Sequence, residues 1–383
     1  MNTGTPARWD LFCRVIDNLG DAGTAWRLAR LLHVEHGCEV VLWIDAPEVL
    51  ASLARDDTSG SADLAPGLSV RDLDTWNTAA GVGDVIVEVL GAGVPDAYVD
   101  ALTRRVPLAR WLILEYLSAE AWVEDRHRLP SPHPATGAPR TFVFPGFTAR
   151  TGGLLRERDL LARRDAFLAS DSARTGLWET VGVDPAMEDA KRISLFVYPD
   201  APVLPLLNAW SAEAERIVCF VPVGVAQDAL ATWAEGARVD VNQTLVRGAL
   251  TVHVIPWLAQ ERYDELLWAC DVNFVRGEDS FVRAQWAARP FVWNIYRQAE
   301  DAHTAKLTAF VERYIRALPD DARTAVRRLF MAWNTGQPPD EVAEAWRAFD
   351  AVSKPLQSHA RSWAAGLAAL PELATTLVEA ASL

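Results

Sequence analysis

Cysteine is scarce in this sequence of 383 residues, which contains only four. No CxxC pair occurs, so the sequence indicates neither a zinc site nor a disulfide framework. Most of the cysteines lie inside apolar runs, which is typical of buried free thiols in a reducing compartment. The four are Cys13, Cys38, Cys219 and Cys270.

The sequence also lacks an apolar run of the length that a transmembrane helix needs. Its first eight residues are polar and have none of the features of a secretory signal. We therefore expect no membrane association and a cytoplasmic location.

Positive charge is in deficit, because 37 lysines and arginines face 51 aspartates and glutamates and the formal net charge is -14. This balance disfavours non-specific binding to nucleic acid or to an anionic membrane. It would favour a basic macromolecular partner, although solubility alone accounts for it equally well. We expect no nucleic-acid partner.

What the sequence does contain is a repeated alternation of short apolar runs and helical segments. Residues 9–15, 24–36 and 39–44 predict a strand, a helix and a strand, which is an opening βαβ unit of a parallel sheet. The alternation restarts in the second half, where strands are predicted at 193–198, 217–221, 250–255, 272–275 and 290–295. We predict an α/β fold with two Rossmann-like doubly wound domains and a helical C-terminal tail.

We place the N-terminal domain at residues 1–188 and the second Rossmann-like domain at 189–355. The C-terminal helices, residues 356–383, are expected to pack back on the N-terminal domain. In such folds ligands bind at the carboxyl ends of the strands, often between domains. The loops that follow the strands are therefore where functional residues are expected.

The first of these loops has no GxGxxG motif, which disfavours an NAD-dependent enzyme. It carries Asp17 and Asp21 instead. Two carboxylates there would repel a pyrophosphate but would suit a cation, a general base, or both. A simpler alternative is that Asp21 or Thr24 caps the following helix and that Asp17 forms an Asx turn.

In the second half, residues 271–286 predict a strand, a tight turn after Arg276 and a helix capped by Asp279 or Ser280. The guanidinium of Arg276 and the free N–H groups of the helix could bind an anion such as a diphosphate. Glu278 and Asp279 would repel an anion and would suit sugar hydroxyls or a reacting centre. Spacing alone favours the alternative that these acidic residues and Ser280 only cap the helix.

Aromatic residues follow two other predicted strands of the second domain. Trp257 and Tyr263 could sandwich a nucleotide base whose edge Gln260 reads, although spacing alone slightly favours core packing for the two aromatics. Tyr198 ends another strand on the same side. One domain thus offers carboxylates, and the other offers aromatics, an arginine and a helix N terminus. That division suits a nucleotide-sugar donor in the second domain and an acceptor or catalytic base in the first, as is typical of a GT-B glycosyltransferase.

Eight longer blocks give a more specific indication. They are WDLFCRVIDNLGD (9–21), LEYLSA (114–119), LPSPHP (129–134), FPGFT (144–148), TGGLLRE (151–157), SLFVY (194–198), LWACDVNFVRGEDS (267–280) and FVWNIY (291–296). On these blocks the chain resembles, over most of its length, the protein-arginine rhamnosyltransferases that modify bacterial elongation factor P, the EarP family.

The resemblance implies a GT-B fold with two domains facing a cleft, dTDP-β-L-rhamnose as donor, inversion at the anomeric carbon, and no metal or other cofactor. The implied acceptor is one arginine of elongation factor P. Carried over to this sequence, the family's catalytic carboxylates are Asp17, Asp21 and Glu278. Its donor-binding residues are Tyr198, Trp257, Gln260, Tyr263, Arg276, Asp279 and Ser280.

Arginine is a weak nucleophile because its pKa lies above ~12. A carboxylate pair can hold the guanidinium and accept its proton as the C–N bond forms, so we assign Asp21 as the base and Asp17 as its orienting partner. Arg276 and the helix N terminus at Ser280 would neutralise the leaving dTDP. Glu278 would position the sugar or support the acceptor. Two alternatives are a nucleotide-sugar epimerase of the same fold and a protein that binds elongation factor P without turnover.

Overall fold

The computed structural model describes residues 7–53, 63–183, 189–237, 239–297 and 302–382. The chain forms two compact units. Unit 1 comprises Met1–Arg158 and Leu367–Leu383, and unit 2 comprises Asp159–Gly366. Each unit is built on its own largely parallel β-sheet, which confirms the predicted α/β class.

Within its described residues, unit 1 has seven strands that form one sheet. They are β1 (Arg8–Cys13), β2 (Glu39–Ile44), β3 (Asp63–Ala65), β4 (Leu68–Asp72), β5 (Val85–Val89), β6 (Arg110–Leu114) and β7 (Thr141–Val143). The strand order is β3-β4-β2-β1-β5-β6-β7, and all pairings are parallel except that of β3 with β4. The helices are α1 (Asn18–His36), α2 (Pro47–Leu53), α3 (Asp96–Thr103), α4 (Trp122–Arg126) and α15 (Leu373–Ser382). Because β1 and β2 are parallel neighbours joined by α1, the predicted βαβ unit is confirmed.

Both faces of this sheet are buried. Successive side chains of a strand point to opposite faces, and those of β1 alternate between two hydrophobic clusters. One cluster includes α1 and α15, and the other includes Phe12. The ring centroid of Phe12 lies 6.4 Å from that of Trp43 and 4.7 Å from that of Tyr98. Leu373 and Leu377 are buried in the first cluster, so the C-terminal helix completes the core of unit 1.

Unit 2 has six strands in its described residues, β8 (Lys191–Leu195), β9 (Ile217–Pro222), β10 (Thr244–Arg247), β11 (Leu250–Ile255), β12 (Val272–Arg276) and β13 (Phe291–Asn294). Their order is β10-β11-β9-β8-β12-β13, and only β10 is antiparallel to its neighbour. The helices are α5 (Leu160–Ala169), α6 (Asp171–Thr180), α7 (Val203–Ser211), α8 (Gln227–Trp233), α9 (Gln260–Ala269), α10 (Asp279–Trp286), α11 (Ala302–Tyr314), α12 (Asp320–Asn334), α13 (Pro339–Ala351) and α14 (Ser353–Ala368). The five strands predicted for this half are present, with ends shifted by up to three residues, and β10 is an additional edge strand.

The two compact units divide the chain differently from the boundaries placed by sequence at 188/189 and 355/356. Helices α5 and α6 belong to unit 2 because their aromatic side chains pack there. The ring of Phe167 meets Trp268 edge-on at 5.7 Å, and Trp178 stacks on Phe220 at 5.1 Å. The acceptor and donor roles assigned to the two domains stay predictions.

The four cysteines are free and buried, as predicted. Burial raises the pKa of the Cys38 thiol to about 11, so this thiol stays protonated at neutral pH. Among the described residues, no helix combines the length and the apolar composition that crossing a membrane requires.

Candidate active site

Asp21 lies in the first turn of α1, just beyond the carboxyl end of β1. Its side chain is buried, with 2% of its surface exposed. Its Oδ2 accepts hydrogen bonds from the backbone N–H groups of Ile16 and Asp17, both at 2.8 Å. These two donors precede the helix, so Asp21 holds the strand-to-helix turn closed and does not cap α1.

The predicted start of the first helix at residue 24 is wrong, because α1 begins at Asn18. The capping alternative for Asp21 or Thr24 is wrong for the same reason, since both lie inside the helix. Asp17 occupies the N-cap position but makes no capping side-chain hydrogen bond. A Cβ atom at Gly20 would lie 2.5 Å from Oδ2 of Asp17. The Asp17 carboxylate lies against the first turn of the helix, and the lack of a side chain at Gly20 leaves room for it.

The environment of Asp21 makes it a stronger base than an exposed aspartate. Burial raises its pKa, and the negative charge of Asp45 adds to that rise. The two backbone N–H groups and a hydrogen bond from the side chain of Tyr116 act in the opposite direction. Burial is the largest of these effects, so the pKa is raised, and a carboxylate of raised pKa accepts a proton more readily.

Two further residues of this edge, Glu115 and Tyr116, were not assigned a role from the sequence. They directly follow β6, which places them at the same carboxyl edge of the sheet as Asp21. Burial and the charge of Glu88 raise the pKa of Glu115. The block LEYLSA that carries the resemblance contains both residues, and its position after a strand could have identified them.

In unit 2, Arg276 is the last residue of β12 and its guanidinium packs against two aromatic rings. Its Cζ is 4.6 Å from the ring centroid of Phe196 and 4.9 Å from that of Tyr198. Both aromatics follow β8, the neighbouring strand. Such contacts fix the planar guanidinium at the carboxyl edge of the sheet. Phe196 was not among the predicted site residues, although its spacing of two from Tyr198 places it on the same face of an extended segment.

The turn between β12 and α10 is closed by Ser280. Its Oγ donates to the carbonyl of Arg276 and accepts from the N–H of Arg276 at 3.1 Å. Gly277 adopts a left-handed backbone with φ of 63°. Glu278 holds the N-cap position without a capping side-chain bond. The predicted cap at Asp279 or Ser280 is therefore wrong, because these side chains make other hydrogen bonds.

Asp279 and Gln260 are brought into direct contact. Oδ2 of Asp279 accepts from Nε2 of Gln260 at 3.2 Å and from Nε of Arg283 at 2.8 Å. Arg283 also donates to Asp264 at 2.8 Å. This buried network joins the starts of α9 and α10. It places both predicted donor-binding residues at the carboxyl edge of the sheet.

Trp257 and Tyr263 both pack against the ring of Phe196. The ring centroid of Phe196 lies 5.7 Å from that of Trp257 and 5.8 Å from that of Tyr263, and both contacts are edge-to-face. Burial, followed by the charge of Asp279, raises the pKa of Tyr263, which therefore stays neutral. Gln260 is the first residue of α9 and lies between Trp257 and Tyr263 in the sequence. The predicted donor-binding residues of unit 2 thus form one continuous cluster.

Glu278 has a cationic neighbour that the sequence did not indicate. Nζ of Lys306, on α11, lies 3.9 Å from Oε2 of Glu278. The two residues are 28 positions apart, and no local pattern in the sequence connects them.

Among the described residues, no group of three or more histidine, cysteine, aspartate or glutamate side chains is arranged to hold a metal ion.

Comparison with known proteins identifies the family to which this chain belongs. A profile of the family described as Elongation-Factor P (EF-P) rhamnosyltransferase EarP matches residues 9–382. A protein-arginine rhamnosyltransferase of Pseudomonas putida is 44% identical over 373 residues, which cover 97% of this chain and 98% of that protein. The chain belongs to the EarP family. Like its relatives, it is a glycosyltransferase.

Other members of the EarP family agree with this assignment. The protein-arginine rhamnosyltransferase of Pseudomonas aeruginosa is 42% identical over 378 residues, covering 97% of this chain and 98% of its own. A solved structure described as the structural basis for EarP-mediated arginine glycosylation of translation elongation factor EF-P is 36% identical and has a TM-score of 0.70. It covers 97% of this chain and 98% of its own.

The predicted GT-B fold class is also confirmed. MurG of Acinetobacter baumannii aligns with 99% of this chain and 99% of its own at a TM-score of 0.53. Its sequence identity is 12%, so this likeness concerns the fold alone.

Proposed function

We propose that this protein transfers L-rhamnose from dTDP-β-L-rhamnose to one arginine side chain of elongation factor P, with inversion at the anomeric carbon. The observation that carries the proposal is the similarity to protein-arginine rhamnosyltransferases over 97% of the chain. The EarP protein of known structure is described as acting on elongation factor EF-P, which supports the same acceptor here. A cytoplasmic location belongs to the proposal, because the acceptor is a translation factor.

The reaction would be a single displacement at the anomeric carbon. A terminal nitrogen of the acceptor arginine forms the C–N bond while the bond from the sugar to the diphosphate oxygen breaks. The electron pair of the broken bond stays on dTDP, and the proton of the attacking nitrogen goes to Asp21. Asp17 would hold the guanidinium through a second charge-assisted hydrogen bond and so orient the lone pair of that nitrogen.

The geometry of Asp21 supports its role as base. Two backbone N–H groups hold Oδ2, so the carboxylate keeps one orientation. Burial raises its pKa, which increases its affinity for the proton that arginine must lose. Glu278, with Lys306 beside it, would position the sugar or the acceptor.

The cluster of unit 2 supports the donor assignment. Trp257, Tyr263 and Phe196 offer aromatic surface for the thymine base, and Gln260 offers an amide for its edge. The guanidinium of Arg276 and the N–H groups of α10 would stabilise the negative charge of the leaving dTDP. Because these groups supply positive charge, the proposal includes no metal ion.

The test is intact-mass measurement of purified elongation factor P after incubation with this protein and dTDP-β-L-rhamnose. We expect a gain of one deoxyhexose, localised by tandem mass spectrometry to one arginine. Elongation factor P with that arginine changed to lysine should gain nothing. A change in the nucleotide sugar that needs no acceptor would instead identify an epimerase. Stable binding of elongation factor P with no mass gain would identify a binder.

A further inference from the structure

Two buried asparagines in unit 2, Asn294 and Asn334, form a hydrogen-bonded pair. Nδ2 of Asn294 donates to Oδ1 of Asn334 at 3.4 Å. Asn334, the last residue of α12, also accepts from the N–H of Ile295 at 2.9 Å and donates to the carbonyls of Trp293 and Phe330, both at 2.8 Å. The amide of Asn334 is therefore saturated and braces the carboxyl end of β13.

The pair ends on the backbone of a predicted donor-binding residue. Oδ1 of Asn294 accepts the N–H of Tyr198 at 2.9 Å. Asn294 ends β13 and is in register with Arg276, which ends β12. Because β12 lies between β8 and β13, this bond reaches across the carboxyl end of β12 to the segment that follows β8. The ring of Tyr198 then packs on the guanidinium of Arg276 at 4.9 Å.

We infer that Asn294, braced by Asn334, is a positioning residue for the donor nucleotide sugar. Asn294 fixes the backbone of Tyr198, and the ring of Tyr198 in turn fixes the guanidinium of Arg276. That guanidinium is the group proposed to bind the diphosphate. Asn294 itself is buried and acts through Tyr198. The inference rests on the proposed function, since the dTDP donor is part of that proposal.

A second buried asparagine of the same sheet offers a matched control. Asn273 lies at the start of β12, near the opposite edge from Arg276. Its Oδ1 accepts from Oγ of Ser194 at 2.6 Å and its Nδ2 donates to the carbonyl of Leu267 at 3.0 Å. Loss of Asn273 removes buried hydrogen bonds from unit 2 without touching the Tyr198 segment.

The experiment compares Asn294→Ala, Asn294→Asp and Asn273→Ala with the wild-type protein. It measures dTDP affinity by calorimetry, the KM values for donor and acceptor, and the thermal unfolding midpoint. Asn294→Ala leaves the N–H of Tyr198 without its acceptor, so we expect dTDP affinity to fall about tenfold. The donor KM should rise and the acceptor KM should stay unchanged. Asn294→Asp keeps the oxygen that accepts the N–H of Tyr198 but loses the Nδ2 donor to Asn334, so it should bind dTDP more tightly than Asn294→Ala and less tightly than the wild-type protein. Asn273→Ala should lower the unfolding midpoint and leave dTDP affinity unchanged.

Wild-type dTDP affinity in folded Asn294→Ala would overturn the positioning role, and so would an equal loss of affinity in Asn273→Ala. If Asn294→Ala does not fold, Asn334→Ala makes the same test, because it removes the hydrogen-bond acceptor that holds the side chain of Asn294. It should weaken dTDP binding in the same direction, and unchanged binding would overturn the inference. Failure of the wild-type protein to bind dTDP is a separate result, which would overturn the donor assignment and the inference together.

Discussion

The carboxylate of Asp21 is oriented by its own chain. The N–H groups of Ile16 and Asp17 both donate to Oδ2, so the turn that ends β1 also fixes the side chain. Hydrogen bonds to a carboxylate lower its pKa and burial raises it, and here burial has the larger effect. The result is a carboxylate that is both held in place and more basic than that of an exposed aspartate.

Replacing Asp21 with asparagine tests the base directly. The amide keeps the shape of the side chain but cannot accept the proton, so single-turnover transfer to elongation factor P should fall by ~10²–10⁴-fold. The affinity for dTDP, measured by calorimetry, should hardly change. Asp72→Asn is a suitable control, because Asp72 ends β4 of the same sheet and accepts the N–H of Asp74 at 2.9 Å. Near-wild-type transfer by Asp21→Asn would refute the assignment.

The same residue predicts a pH dependence. As the proposed base, Asp21 must be ionised to accept a proton, and its pKa is raised from the ordinary value of 3.8. Transfer should therefore be complete above the raised pKa and should be lost as the pH falls through it, at a higher pH than for an exposed aspartate. The measurement is the pH profile of the single-turnover rate. An acid limb that persists unchanged in Asp21→Asn would assign it to another group.

Trp257 is predicted to stack on the thymine base. Trp257→Ala should weaken dTDP binding by ~1–3 kcal/mol, the usual contribution of an aromatic side chain that stacks on a base. Calorimetry with dTDP measures this. Trp122→Ala provides the comparison, because Trp122 lies in unit 1 and 49% of its surface is exposed. Unchanged dTDP affinity in folded Trp257→Ala would remove this residue from the donor site.

At the scale of single elements, the start of α1 combines helix formation with the placement of two carboxylates. Gly20 is unfavourable in a helix by ~1 kcal/mol relative to alanine. Its position is explained by Oδ2 of Asp17, which would lie only 2.5 Å from the Cβ atom of any other residue there. Glycine at this position makes the start of α1 less stable than alanine would, but it allows the Asp17 carboxylate to lie close to the helix backbone.

Gly20→Ala should therefore lower transfer activity, because the new methyl group must displace the Asp17 carboxylate. Gly176→Ala is the matched control: Gly176 is also helical, in α6, and a Cβ there meets nothing within 4 Å. That variant should gain up to ~1 kcal/mol of stability with unchanged transfer. Urea unfolding and single-turnover transfer of both variants make the comparison. Full activity in Gly20→Ala would show that the position of Asp17 is not required.

At the scale of the whole molecule, each unit presents a different chemistry at the carboxyl ends of its strands. Unit 1 carries Asp17, Asp21 and Glu115 there. Unit 2 carries Arg276 among aromatic side chains, with the start of α10 beside it. The first set suits a cationic acceptor, and the second suits a nucleoside diphosphate.

If Arg276 and the start of α10 stabilise the leaving diphosphate as proposed, transfer should proceed without an added divalent cation. Activity should persist in excess EDTA, measured as the initial rate of mass gain by elongation factor P. Addition of Mg²⁺ or Mn²⁺ after the chelator serves as the control. Loss of activity in EDTA that either ion restores would contradict the prediction.

The class of fold and the type of most elements follow from the sequence alone, because hydrophobic periodicity reports which side chains a strand or helix buries. The order of these elements also places the carboxylates after β1 and Arg276 at the end of β12. The residue blocks then identify the family, which the comparisons confirm. The roles of the individual site residues stay predictions.

Which side chains meet is settled by the tertiary structure. It brings Lys306 next to Glu278, and it packs Arg276 and Trp257 against Phe196. It also shows that α1 begins at Asn18, before the predicted start at residue 24. Local patterns cannot supply these partners, because they depend on strand order. β8, β12 and β13 are separated in sequence yet adjacent in the sheet, and their carboxyl ends converge only when the sheet has formed.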